Sequence, residues 1–208
     1  MSLQVISIPP TGQPPTGAIV ALHGWGANAE DLADLAPFLN LPDYHFFFPN
    51  APFPHPYSSV GRAWYDFQRN EGIEESRQLL RDWLSGLESE TGIPLSRTIL
   101  SGFSQGGAMT LDVGLNLPLA GLVSLSGYLH PITQGTQPDV FPPTLIVHGT
   151  RDSIVPVTAG QNARDVLTSL GVAVQYEEFN MAHEVIPAVI QLMRSFVLQI
   201  MSVETPKA

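Results

Sequence analysis

The 208-residue chain contains no cysteine, which excludes disulfides, thiolate metal sites and a cysteine nucleophile while leaving the redox compartment open. Charge is sparse: Asp, Glu, Lys and Arg make up 13% of residues, and nine Lys and Arg against nineteen Asp and Glu give a net charge of −10. No basic run is available to neutralise phosphates, which argues against nucleic acid as a partner. Long apolar runs are missing too. Stretches such as residues 44–48 and 144–147 fall far short of the roughly 20 residues that span a bilayer. Residues 1–10 lack a basic n-region and end in two prolines, unlike a secretory signal. The expectation is a soluble, cytoplasmic protein without stable membrane anchoring. The 44% hydrophobic content suits a packed core, and at roughly 150 residues per domain the length predicts a single domain, placed at 1–201, with 202–208 a disordered tail.

Along the chain, strand-like and helix-like patterns alternate. Residues 3–8 read as a strand, and a Pro- and Gly-rich connection leads to an apolar strand at 18–22 that runs into His23-Gly24-Trp25-Gly26. Asn28 is placed to cap a helix whose Leu32, Leu35, Ala36 and Leu39 recur at helical spacing, and a strand comes next at 44–48. Residues 49–70 have no period and are crowded with rigid side chains, and a loop this long is usually functional. A helix is predicted at 74–90, a strand at 98–102, a helix at 105–115, strands at 119–125 and 144–147, a helix at 158–170, a strand at 172–179 and a last amphipathic helix. This order predicts an α/β fold: a mostly parallel sheet of about seven strands, helices on both faces, and ligands at the carboxyl ends of the strands.

Gly102-Phe103-Ser104-Gln105-Gly106 fits G-x-S-x-G, a sharp strand-to-helix turn that exposes the serine hydroxyl. A random chain of this composition would contain roughly 0.12 such matches. Here, however, the string lies between a strand-like and a helix-like run, as the turn requires. A serine hydroxyl needs an adjacent base, itself oriented by a carboxylate. Asp152 lies in the loop after the apolar run 144–147, whereas Asp139 precedes that strand and Asp165 falls within a helix. Of six histidines only His183 comes after Asp152, in the segment between the last strand and the last helix. Ser104, Asp152 and His183 are therefore the candidate triad. His23 and His148 each end an apolar strand before a glycine and suit backbone hydrogen bonding.

Acyl transfer also needs donors for the developing oxyanion. The backbone N–H of Gln105, at a helix start, is one, and that of Trp25 in the glycine-rich loop is the other candidate. A phosphate-cradling role for that loop has little support, because there is no G-x-G-x-x-G and no lysine in the first half of the chain. No H-E-x-x-H or His-carboxylate cluster points to a metal site, and no cofactor is implied. Phe53, Trp64 and Tyr65, with Trp25, are candidates for the substrate wall.

Several motifs together resemble the phospholipase/carboxylesterase family of α/β-hydrolases, which includes acyl-protein thioesterases. They are Leu22-His23-Gly24-Trp25-Gly26, Pro49-Asn50-Ala51-Pro52, Trp64-Tyr65-Asp66, Gly102 to Met109, His148 to Pro156, and His183. The resemblance implies Ser104 as nucleophile, His183 as base, Asp152 as its orienter, and Trp25 and Gln105 as oxyanion donors. The chain departs from the family at Trp25 and Ala27, and at Asn180-Met181-Ala182. The expected activity is that of a serine carboxylesterase acting on a small to medium acyl ester, with no sizeable lid. Acyl-protein thioesterase and lysophospholipase are the alternatives within the enzyme class, a peptidase is conceivable, and a non-catalytic binding module is the rival outside it. A homodimer is left open.

Overall fold

The computed structural model describes residues 2–12, 14–69, 71–131 and 140–202; the expected tail beyond 202, and Asp139, lie outside them. Strand β1 (Val5–Ile8) leads to β2 (Gly17–Leu22), whose alternate residues feed two cores, with Ala18, Val20 and Leu22 on one face and Ile19 on the other. The predicted helix after Asn28 is two short ones, α1 (Ala29–Ala33) and α2 (Ala36–Leu39). Pro37 causes the break, because it has no N–H for the Ala33 carbonyl and its ring would clash there. Asn28 caps α1 in a reciprocal box with Asp31.

Strand β3 (Tyr44–Pro49) leads into the proline-rich loop, which carries a two-stranded antiparallel ribbon of β4 (Phe53–Pro54) and β5 (Arg62–Ala63). Then come α3 (Ile73–Thr91), β6 (Thr98–Phe103), α4 (Gln105–Gly114), β7 (Gly121–Leu125), β8 (Thr144–Gly149), α5 (Val157–Ser169), β9 (Val174–Phe179) and α6 (Pro187–Ser202). The large sheet has the order β1-β3-β2-β6-β7-β8-β9. All its pairings are parallel except β1 with β3, so the expected mostly parallel sheet is present. Helices α3, α4 and α5 cover one face, and α1, α2 and α6 the other. No helix among the described residues is long and apolar enough to cross a membrane.

Helix α4 runs through the core with most of its residues buried. Its first turn can approach the sheet so closely only because two positions lack a side chain. A Cβ at Gly102 would lie 2.2 Å from the Gly106 carbonyl oxygen, and one at Gly106 would lie 2.2 Å from that of Leu22. Beside this junction His23 is fully buried; its Nδ1–H donates to the Gly24 carbonyl at 2.8 Å, and its Nε2 accepts from the Ala51 N–H at 3.0 Å. It ties the end of β2 to the start of the proline-rich loop.

Gly106→Ala should destabilise the fold by about 1–3 kcal/mol in chemical denaturation, because neither backbone can retreat; an unchanged midpoint would contradict that. Burial lowers the pKa of His23 from the ordinary 6.5 to about 4. Between those values the unfolded chain takes up a proton that the folded one refuses. Stability is therefore complete above pH 6.5 and falls by up to about 3 kcal/mol as pH drops towards 4. Burial lowers His45 as well, with the same sign. Unfolding free energies measured across this window should slope less in His23→Gln than in the parent protein.

Candidate active site

The carboxyl ends of β6, β8 and β9 face one rim of the sheet, and each delivers one polar side chain there. Ser104 comes directly after β6 and caps α4 with φ 55° and ψ −118°, a region costly for a non-glycine residue and maintained only by surrounding structure. Here the Ser104 N–H donates to the Leu125 carbonyl at 2.8 Å, and its carbonyl accepts from the Ala108 N–H at 3.0 Å. The turn is thus fastened to β7 on one side and to its own helix on the other.

Asp152 sits in the loop after β8 with its side chain fully buried. Burial alone would raise its pKa, but hydrogen bonds from His183 and from the N–H groups of Val155 and Ile154 outweigh it and hold the carboxyl below its ordinary value. Its Oδ1 accepts both backbone N–H groups at 2.9 Å. Its Oδ2 accepts Nδ1–H of His183 at 2.7 Å, and Nε2 of the same ring lies 2.9 Å from Oγ of Ser104. Three residues drawn from distant parts of the chain therefore form one hydrogen-bonded line from carboxylate to hydroxyl. Because Nδ1 carries its proton towards the carboxylate, Nε2 presents a lone pair to the serine.

Two loops must meet for this line to close. A Cβ at Gly149 would lie 2.5 Å from the carbonyl oxygens of both Met181 and Ala182, so the bare end of β8 lets the His183 loop lie against it. The Arg151 N–H donates to the Met181 carbonyl at 3.0 Å and the Thr150 N–H to that of Phe179 at 2.8 Å. Met181 is buried in the core between α6 and the sheet, so the Asn180-Met181-Ala182 departure anchors this loop. Phe103 packs against the His183 ring at 4.7 Å between centroids. His148, read as structural, donates from Nε2 to the Val155 carbonyl at 2.8 Å and braces the Asp152 loop from below.

The glycine-rich loop borders the serine. A Cβ at Gly24 would stand 3.3 Å from Cβ of Ser104, and the loop is held from outside by Gly26 N–H on the Arg62 carbonyl and Arg62 N–H on that of Ala27. The N–H of Trp25 has no hydrogen-bond partner among the described residues. Gln105 is the first residue of α4, so its N–H has no intrahelical acceptor. The Gln105 side chain is occupied elsewhere: Oε1 accepts the Trp64 N–H and Nε2 donates to the Tyr65 carbonyl, each at 2.9 Å.

Trp25, Phe53 and Tyr65 line a cleft of about 570 Å³ beside this rim. Trp64 does not, and its assignment to the substrate wall is corrected. It is fully buried, its indole N–H donates to the His23 carbonyl at 2.9 Å, and its ring lies against that of His23. It is a brace under the glycine-rich loop. A polar network that no sequence motif marks lies behind Tyr65. Arg77 and His130 both donate to Asp112, at 2.6 and 3.1 Å, His130 Nε2 is 2.9 Å from the Tyr65 hydroxyl, and that hydroxyl bonds the Tyr128 hydroxyl. Burial, and after it the neighbouring Tyr128, pushes the Tyr65 phenol well up, so it stays protonated. The signal that could have exposed His130 is its position in the loop after β7, at the same rim of the sheet.

Known proteins resemble the chain in sequence and in fold. The sequence model of the Phospholipase/Carboxylesterase family matches residues 3–201. Acyl-protein thioesterase 1 of Yarrowia lipolytica is 30% identical over 174 residues, spanning 73% of this chain and 76% of that protein. Acyl-protein thioesterase 1 of Saccharomyces cerevisiae is 29% identical over 220 residues, spanning 91% and 95%. The crystal structure of esterase PE8 superposes with a TM-score of 0.88 at 29% identity, covering 96% of this chain and 100% of that one. Acyl-protein thioesterase 2 of Zea mays shares the fold, with a TM-score of 0.80 at 23% identity over 96% and 99% of the two chains. By sequence and fold, the chain belongs to the phospholipase/carboxylesterase family of α/β-hydrolases.

Proposed function

We propose that the protein hydrolyses carboxylic esters through an acyl-enzyme on Ser104. The observation that carries this reading is the unbroken line Asp152–His183–Ser104, with hydrogen bonds of 2.7 and 2.9 Å. Oγ of Ser104 attacks the ester carbonyl carbon as its proton passes to Nε2 of His183, and the imidazolium is stabilised by buried Asp152. The tetrahedral oxyanion is received by the N–H groups of Trp25 and Gln105, one on each side of the serine. Collapse expels the alcohol, which takes the proton from Nε2. Water then adds to the acyl carbonyl by the same route, its proton going to His183, and the acid leaves as Ser104 recovers its hydrogen.

Small to medium acyl groups are the substrate reading, and residues 180–186, between β9 and α6, form no helix. Thioester hydrolysis is the second reading, favoured by relatives named acyl-protein thioesterase 1. The triad chemistry is the same for both, the thiolate being the easier leaving group.

A fluorophosphonate probe should label the protein and fail to label Ser104→Ala; a wild-type protein that stays unlabelled would favour a non-catalytic binding module. Among substrates of equal acyl length, the ester and thioester should be cleaved well ahead of the amide, and a faster amide would make it a peptidase. Asp152→Asn should keep the fold but lower kcat by roughly 10³–10⁴-fold, because the amide no longer fixes the imidazole in the reactive tautomer. A loss under tenfold in steady-state kinetics would remove Asp152 from the machinery.

A further inference from the structure

The cleft beside the triad combines two features that neutral acyl groups do not require. Its walls are aromatic: Trp25, Phe53, Tyr57 and Phe67 line it, and three of these rings remain substantially exposed, Trp25 at 40%, Phe67 at 49% and Tyr57 at 86%. Its rim carries the carboxylates of Asp66, Glu71 and Glu75, and no Lys, Arg or His is among the described residues that line it.

Two of the nearby cations are committed elsewhere, and a third stands at the rim itself. Arg62 donates to the carbonyls of Ala51 and Pro52, both at 2.9 Å, and Arg77 is held by Asp112 and Glu74. Arg69 approaches Glu71 at 3.8 Å, but both side chains are at least 70% exposed, so water screens that pair. Glu75 and Asp66 have no ion pair among the described residues; Asp66 accepts only from the N–H groups of Gln68 and Arg69.

The aromatic faces are also fixed in place. His55 meets the Trp25 indole edge-on at 4.1 Å, while Phe67 stands 6.3 Å from it at 45°. A cation within roughly 6 Å of either ring face is attracted by the ring quadrupole, with the carboxylates supplying the long-range field. No triad residue lines the cleft, but two of its lining residues lead towards the reaction centre. Trp25 offers its side chain to the cleft and its backbone to the serine rim, and Tyr65 is clamped by the Gln105 side chain.

We infer that this cleft selects esters bearing a fixed positive charge, an alkylammonium group of the choline type. The inference rests on the esterase reading and specifies its substrate class. The cation can be carried on the alcohol or on the acyl part, and the two sources are separated by matched pairs. Butyrylcholine is compared with its uncharged isostere 3,3-dimethylbutyl butyrate, and ethyl 4-(trimethylammonio)butanoate with ethyl 5,5-dimethylhexanoate. Each kcat/KM is divided by the hydroxide-catalysed rate of the same ester, which removes differences in intrinsic reactivity.

In one pair the charged ester should be favoured roughly tenfold at low salt; the pair that shows it places the cleft on the alcohol or the acyl side. That ratio should fall towards one in the Glu71→Gln/Glu75→Gln double variant, and again in Phe67→Ala, with thermal unfolding confirming that both variants fold. A ratio at or below one in both pairs, with the neutral esters turned over, overturns the substrate class and leaves the esterase reading intact. A ratio that survives both variants overturns the cleft as its origin. If no ester is cleaved, the esterase reading fails and the inference falls with it.

Discussion

The first turn of α4 rests directly on the ends of β2 and β6, and most of the molecule's chemistry depends on that contact. Where two backbones touch without side chains between them, the residue joining strand to helix is forced into a left-handed conformation and cannot withdraw. Ser104 is that residue. The same approach brings the loop after β2 against the serine, so the N–H groups of Trp25 and Gln105, proposed as oxyanion donors, owe their place to the packing that seats the hydroxyl. Gly102, Gly106 and Gly24 are each small for a different neighbour, yet they serve one geometry. The strain at Ser104 is maintained by the core beneath it, because α4 is buried nearly all round and has no alternative seat.

Around this rigid centre most buried polar side chains are bonded to backbone, Nδ1 of His148 and Oγ of Ser126 being left without a partner among the described residues. His23, His148, Trp64 and Gln105 each commit their side-chain hydrogen bonds to backbone groups of the loops that border the serine. Such bonds gain little net free energy but are costly to break in a dry interior, so they fix loop positions more than they raise stability. Asp152 shows the same pattern, using one oxygen to hold its own loop and the other to orient His183.

The strands that carry Ser104 and Asp152 were legible because each is an apolar run ending in a turn signature, and His183 because it is the only histidine after Asp152. The distances that join them were not legible, since they depend on Gly149 admitting the His183 loop. Alternation of apolar runs foretold the sheet, but not the break before α2, where a single proline outweighs a continuous hydrophobic period. Trp64 was misplaced for a simple reason: an aromatic residue in an aperiodic loop looks the same in sequence whether it turns inward or outward. The Arg77–Asp112–His130–Tyr65–Tyr128 network joins α3, α4 and two loops with no shared spacing, so no one-dimensional pattern could announce it.

Among the described residues β9 closes one margin of the sheet, bonded to β8 and to no other strand, and His183 follows its far end. Margins open at lower free energy than interior strands. The imidazole is therefore mounted beyond a margin of the sheet, while the hydroxyl it serves is mounted at its centre. Mild denaturant or warmth can separate the two before the core melts, so catalytic competence and global folding become distinct thresholds, and the first is crossed while the second still holds.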